Sequence, residues 1–334
     1  MISKNHLEVQ VLCEEFYQAL AQFQNGITFQ KKVDIKNISS AFEMLERNYP
    51  EIFWLEGYSV SYNETFAEVT FKILNHYRPD ALRKMQNTLK QKVQAVLKTV
   101  NKPTAYEKIL AVHDYLVLHT DYQKPVSKNK TLQHTAYGCL AEGKAVCEGY
   151  SKAFQLLMKH LHIECGICSG IARKEPHAWN YVKLGMSYYW IDVTWDDPVY
   201  HGRSNGFEKW VQHNYFLIND ELLFRTRKLS KSDAFIPACH SLKENYFVKN
   251  KLYFKNYQFS EIDKLFTAHL KDGRIELMFD DKKSFQTAVK DLFEKKAFWN
   301  AKIFEAKNGR KGGSFQYQTD EDLFILRILF QVNT

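Results

Sequence analysis

Residues 137–198 read YGCLAEGKAVCEGYSKAFQLLMKHLHIECGICSGIARKEPHAWNYVKLGMSYYWIDVTWDDP. Gly143 and Gly149 bracket Cys147, and Tyr150, Ala153, Phe154, Leu157, Met158 and Leu161 then recur at helical spacing. This spacing predicts a helix with an apolar stripe toward the core and Cys147 at or just before its first turn. The N–H groups of a first turn have no partner within the helix, and with the helix dipole they favour a thiolate there. The same amides can hold an oxyanion. Cys147 is therefore placed as a nucleophile would be.

A nucleophilic thiol needs a base and a group that orients the base. His177 opens the alternating run HAWNYVKL, and Asp192 lies in a second run, YYWIDVTW, beyond Gly185-Met186-Ser187. If the two runs form an antiparallel hairpin, a loop at Leu184-Gly185 sets His177 directly opposite Asp192, about 5 Å apart at Cβ. A loop at Gly185-Met186 leaves them diagonal on one face, and a regular three-residue loop puts them on opposite faces. Each residue alone has a plainer reading. A cysteine at a helix start is more often a small buried side chain, and a strand histidine more often a packing residue. Asp192 between Ile191 and Val193 is harder to explain that way, because burying a carboxylate without partners costs several kcal/mol. The three together point to a thiol–imidazole–carboxylate triad.

The blocks GKAVCEGY, HAWN and WIDVTWDDP resemble the three core blocks of the transglutaminase-like superfamily, which has the papain-like cysteine-enzyme fold. The resemblance is closest to bacterial members, where a Tyr-Gly-x-Leu stretch precedes the cysteine block, here Tyr137-Gly138-Cys139-Leu140. It extends over HDYLVLHTDY (113–122) and, more loosely, HNYFLIND (213–220), so that it covers about residues 104–220. It implies an α+β fold in which the nucleophile helix packs on an antiparallel sheet. It further implies Cys147 as nucleophile, His177 as general base and then acid, and Asp192 as orienter of the imidazole. The implied reaction is acyl transfer from a carboxamide, often a glutamine side chain, through a Cys thioester. Transfer to an amine gives a cross-link and transfer to water a deamidation. A peptidase or amidase using the same triad and a non-catalytic protein-binding module are the alternatives, and the intact triad weighs against the second.

The animal enzymes have a Trp upstream of the cysteine block as a second oxyanion donor. This chain has no Trp between Trp54 and Trp179, so His134 or Tyr137 is the candidate in its place. Trp179 and Asn180 are candidates to wall or orient the site, with plain packing an equal reading for Trp179. Asp196 and Asp197 before Pro198 read as a turn or cap in preference to a contact for a substrate lysine. Cys165 and Cys168 form a single CxxC whose side chains point to opposite faces of a strand, which favours buried thiols over a zinc site. No loop of spaced acidic ligands suggests calcium. The expectation is an enzyme without metal or cofactor.

The chain has 334 residues, 45% hydrophobic and 25% charged, with 24 Phe, 19 Tyr and seven Pro. Such a composition excludes disorder and fibrous repeats, and six cysteines without paired spacing exclude a disulfide scaffold. The formal net charge is +8, unevenly spread. Residues 101–206 hold 12 Lys+Arg against 10 Asp+Glu, while 78–98 hold 6 against 1 and 225–256 hold 8 against 2. Arg83, Lys84, Lys90 and Lys92 in the first cluster, and Arg225, Arg227, Lys228 and Lys231 in the second, read as solvated faces. Without interleaved aromatics or a binding motif they do not suggest nucleic acid. A protein or peptide substrate, with acidic protein surfaces as the favoured class, is the expected partner. No run approaches the roughly 18 apolar residues of a membrane span. Met1 to Gln22 lacks the apolar region of a signal peptide, so the expectation is a protein inside the cell or a chain without its leader.

Outside the core, periodicity predicts helices at 7–24, 39–49, 80–99 and 104–118 and strands at 27–33, 57–63 and 66–73. A shift of 247 positions lays Asn25-Gly26 on Asp272-Gly273, Asp34 on Asp281, Ala41 on Ala288 and Leu45 on Leu292. Duplication and a chance likeness of two small α+β units both fit this. The segments are therefore 1–77, an N-terminal α+β segment; 78–220, the catalytic core; and 221–334, a C-terminal α+β segment with the features of a distant repeat of the first.

Overall fold

The structure is a computed structural model, in which residues 4–124, 131–197, 210–230, 236–306 and 309–333 are described. Pro198 and Lys231 lie outside the described residues. Local chemistry sets the ends of the first elements. Helix α1 (Lys4–Ala21) leads to strand β1 (Gly26–Phe29) and helix α2 (Ile35–Asn48). α2 starts four residues before the expected Ser39 because Asp34 caps it, accepting the Lys36 N–H at 2.8 Å. Strands β2 (Leu55–Tyr62) and β3 (Ala67–Ile73) form a hairpin. Asn63 closes it, its side-chain oxygen accepting the N–H groups of Thr65 and Phe66. The antiparallel sheet has the order β1-β3-β2. Helix α3 (Pro79–Thr99) has Pro at its first position, where the missing N–H costs nothing. Helix α4 (Ala105–His119) begins with a reciprocal capping box between Thr104 and Glu107.

Helix α5 (Cys147–His160) lies at the centre of the next layer. It packs on an antiparallel meander of β4 (Cys165–Ala172), β5 (Glu175–Leu184) and β6 (Ser187–Ile191), and α3 and α4 also contact it. The expected apolar stripe is accordingly too narrow a picture: every residue from Gly149 to Met158 is buried, while Leu161 is only half-buried. A helix covered on several sides has no solvent face to keep polar. Tyr150, Ala153, Phe154, Leu157 and Met158 are fully enclosed, as are Trp179, Val182, Trp190 and Ile191 of the sheet. Burial of each large side chain contributes about 1.5–3 kcal/mol.

The β5–β6 register pairs Leu184 with Ser187 and Asn180 with Ile191. The two-residue turn is thus Gly185-Met186, not Leu184-Gly185. Gly185 has φ +62°, a conformation that costs glycine little, and Met186 is fully out in solvent. His177 and Asp192 are therefore diagonal across the hairpin rather than directly opposite. A one-turn helix, α6 (Val193–Asp196), follows β6 directly.

Contacts group the chain into two units, Met1–Tyr215 with Lys228–Cys239, and Phe216–Arg227 with His240–Thr334. The first sequence segment and the central one as far as Tyr215 fall within one unit, and residues 216–220 fall within the other. In the second unit, α7 (Phe259–Ala268), β7 (Arg274–Phe279), α8 (Lys282–Val289), β8 (Gly313–Asp320) and β9 (Ile325–Val332) follow in order. β9 lies between β7 and β8 in an antiparallel arrangement, just as β3 lies between β1 and β2. Asp281 caps α8 as Asp34 caps α2. Gly26 and Gly273 each bring a neighbouring strand's carbonyl so close that a Cβ would lie within 3 Å of it. Element order, strand order, cap and glycine thus agree between the two stretches.

Candidate active site

Val146, the residue before α5, offers no side-chain cap. The amides of the first turn therefore open at the end of the helix where Cys147 sits. Gly149 permits this start to pack against the turn at 132–135. A Cβ there would lie 2.3 Å from the Gln133 carbonyl oxygen and 2.9 Å from Ala145 Cβ. The Val146 N–H donates to the same Gln133 oxygen at 3.0 Å, which ties the two stretches together.

His177 is buried on β5, and its Nε2 donates to Asp192 Oδ2 at 2.9 Å. The Cys147 thiol stands close enough to His177 to act on its titration as well. Since Asp192 occupies Nε2, Nδ1 is the nitrogen left for the thiol. Burial alone would lower the pKa of His177. The Asp192 charge and hydrogen bond and the Cys147 contact outweigh it and raise the pKa to about 9. The other Asp192 oxygen accepts the Trp195 N–H at 3.2 Å, so the carboxylate is held from both sides. The rings of Trp179 and Trp195 stand about His177 at centroid distances of 6.0 and 6.1 Å, and the Arg173 guanidinium lies over Trp195.

Cys147 and His177 line a cavity of about 930 Å³. His134 lines it too. The Thr131 N–H donates to His134 Nδ1 at 3.1 Å, which leaves the ring proton on Nε2, the tautomer of a hydrogen-bond donor. Tyr137 is placed elsewhere: its ring stacks on Phe53 at 4.7 Å, and it is not part of the cavity wall. Asn180 also faces away, because it lies an odd number of residues from His177 on the strand. Its side-chain amide donates to the carbonyls of Ser151 and Gly166, tying α5 to β4. Trp179 packs beside His177 with its indole N–H buried and unbonded. The structure therefore brings together Cys147, His177, Asp192, His134 and Trp179, and separates Tyr137 and Asn180 from them.

Several wall residues are not foreseeable from the motif blocks. Glu43, Glu46 and Arg47 reach the cavity from α2, and Glu148 and Lys152 from α5, the last two paired at 2.6 Å. Cys168 lines it as well, but burial pushes its thiol up to about 12. Burial likewise raises Cys13 to about 11, Cys139 to about 12 and Cys165 well above the ordinary thiol range. All six cysteines are free.

Asp196 and Asp197 are fully buried and do not line the cavity. Asp196 accepts from the Tyr215 N–H and bonds to His113 Nε2 at 3.1 Å; Asp197 accepts from the Tyr150 hydroxyl at 2.7 Å. Asp196 is the last residue of the α6 turn and Asp197 its C-cap, as the turn-or-cap expectation has it, while the Asp192 side chain caps the start. Among the described residues, His113, Asp114 and His213 bring three ligand-type atoms within 4.8 Å of one another. Yet both ring nitrogens of His113 already face carboxylates, Nδ1 toward Asp114 at 2.9 Å and Nε2 toward Asp196. Two such partners call for two N–H donors, which is the imidazolium, and an imidazolium has no lone pair for a metal. Among the described residues no helix is long and apolar enough to cross a membrane.

Residues 90–195 match the family model described as the transglutaminase-like superfamily. The match reaches back into α3 and ends at Trp195, short of HNYFLIND. No curated protein matches the chain. Among solved structures, a TGase is 14% identical, with a TM-score of 0.30, and half of each chain is covered. A candidate cysteine protease from Cytophaga hutchinsonii is 13% identical with a TM-score of 0.29, over 54% of this chain and 73% of that one. A candidate protease from Parabacteroides distasonis is 9% identical with a TM-score of 0.25, over 40% and 35%. This chain thus spans about half the length of the TGase, and superpositions so loose establish no fold by themselves. The family match is the firmer ground: residues 90–195 belong to the transglutaminase-like superfamily, with its mixed α+β fold.

Proposed function

We propose that the protein is a thiol enzyme that transfers the acyl group of a protein or peptide glutamine carboxamide through a thioester on Cys147. The observation that carries this reading is the His177–Asp192 bond at 2.9 Å beside the Cys147 thiol, at an uncapped helix start facing a cavity. The Cys147 sulfur attacks the carbonyl carbon, and the carbonyl π electrons move to oxygen. The oxyanion is met by the Cys147 N–H and the Nε2–H of His134. The C–N bond then breaks as the His177 imidazolium protonates the leaving nitrogen, and ammonia departs. His177, now neutral, takes a proton from an amine or water, which attacks the thioester and restores the thiol.

The same groups would cleave a peptide bond if the attacked amide lay in the backbone. Mass spectrometry of a peptide library incubated with the protein and a primary amine separates these outcomes. Loss of ammonia with gain of the amine supports transamidation, and exchange of ammonia for water supports deamidation. Backbone fragments without ammonia would move the protein to the peptidases. No change in any peptide, with Cys147 intact, would reject the enzymatic reading.

A further inference from the structure

The buried groups behind Asp192 form a continuous clamp. α6 is a single turn held at its N-cap, Asp192, and at its last residue, Asp196. The Asp196 N–H donates to the Asp192 carbonyl at 3.3 Å, and the Asp192 N–H donates to the Tyr215 carbonyl at 3.2 Å. The Tyr215 N–H returns to the Asp196 carboxylate at 3.0 Å. From the opposite side His113 of α4, with no solvent exposure, reaches Asp196 with Nε2 and Asp114 with Nδ1. Asp114 in turn bonds to His213 at 3.1 Å, and the His213 ring stacks 5.3 Å from that of His113. A carboxylate as enclosed as Asp196 stays ionised only beside a positive partner.

We propose that His113 is a positioning residue for this site: clamped between Asp114 and Asp196, it fixes the α6 turn and thereby the aim of Asp192 at His177. The inference rests on the reading of Cys147, His177 and Asp192 as one reactive site. Among the described residues, Asp114, Asp196 and His213 face His113, Asp192 and Cys147 face His177, and the Asp192 charge also acts on Asp196. Burial pulls the pKa of His113 down, but the two carboxylates raise it to about 9, and burial pushes Asp196 up to about 6. Between those values the two form an ion pair. Without His113, Asp196 would take up a proton and its hold on α6 would slacken. Asp192 would then support the His177 imidazolium less well.

The test uses two alkylating agents on the full chain and reads the Cys147 peptide by mass spectrometry. Iodoacetate is an anion and is drawn to the imidazolium, whereas iodoacetamide is neutral. The ratio of their rates therefore falls as His177 loses its proton. In the parent protein that fall is expected near the pKa of His177. In His113→Gln and in Asp196→Asn it moves down by about one pH unit, and the double variant moves no further than either single one. A merely structural role would lower the melting temperature and leave the fall where it is. That result in folded Asp196→Asn overturns the inference even if His113→Gln does not fold. A stoichiometric metal ion lost on His113→Gln would overturn it too, because a ligand nitrogen cannot carry the second proton. Failure of Cys147 in the parent protein to react faster than the other cysteines would instead reject the reading of the site itself.

Discussion

Asp192 accepts the His177 Nε2 hydrogen at 2.9 Å although the two residues are diagonal, not opposite, in the β5–β6 hairpin. Asp192 lies just past the last strand residue, where the chain turns into α6 and its carboxylate swings back toward the imidazole. Asp192→Asn keeps the shape of this contact but removes the charge and can reverse the tautomer. Turnover should fall by about 10²–10⁴-fold, with little change in melting temperature. Steady-state kinetics with thermal unfolding checks both.

The pH dependence follows from the direction of the His177 shift. Its pKa in the folded chain, about 9, lies above the ordinary value. The stabilisation from the imidazolium is therefore complete below about pH 6.5 and is lost as pH rises through about 9. Turnover that needs the imidazolium to protonate the leaving nitrogen should decline over the same range. A profile flat to pH 10 would remove His177 from that role.

Cys147→Ala should abolish activity, and one fast equivalent of iodoacetamide should react in the parent protein. Cys13, Cys139, Cys165 and Cys168 are all pushed above the ordinary thiol range by burial. They stay protonated at neutral pH and should react slowly. Peptide mapping after brief alkylation decides whether the label is on Cys147.

His134→Ala should lower kcat by about 10²-fold with KM nearly constant. His134→Gln, which can still donate, should recover part of the loss. Equal losses in the two variants would show that no donor is needed there.

Two core changes separate packing from chemistry. Phe154→Ala empties a fully buried position and should cost about 3–5 kcal/mol in denaturant unfolding. Gly149→Ala sets a Cβ 2.3 Å from the Gln133 oxygen. The start of α5 or the 132–135 turn must then shift, and alkylation of Cys147 should slow even where the chain stays folded.

The central block is legible in sequence because its signals are local. Helical spacing after Cys147 and alternation around His177 and Asp192 each survive without knowledge of the rest of the chain. The turn at Gly185-Met186 was one of two positions that spacing allowed, since glycine can occupy either place in a two-residue loop. Tyr137 and Asn180 lie close in sequence to Cys147 and His177, yet strand alternation and the Phe53 contact turn them elsewhere. Asp196 reads as a turn residue because its partner His113 lies 83 positions away. The α2 residues on the cavity wall have no local signature either: Glu43, Glu46 and Arg47 look like any solvated helix face until tertiary packing sets them beside Cys147.

In the proposed mechanism, that α2 wall would separate recognition from reactivity along the chain. The groups that this mechanism assigns to bond making and breaking come from residues 147–192 and are held by buried contacts. Glu43 and Glu46 are exposed side chains on a helix more than ninety residues earlier, fixed by its other face. Substitutions there can alter the charge that an incoming substrate meets while leaving the nucleophile and its partners untouched. Drift or deliberate redesign of preference can thus proceed on one helix without putting the chemistry at risk.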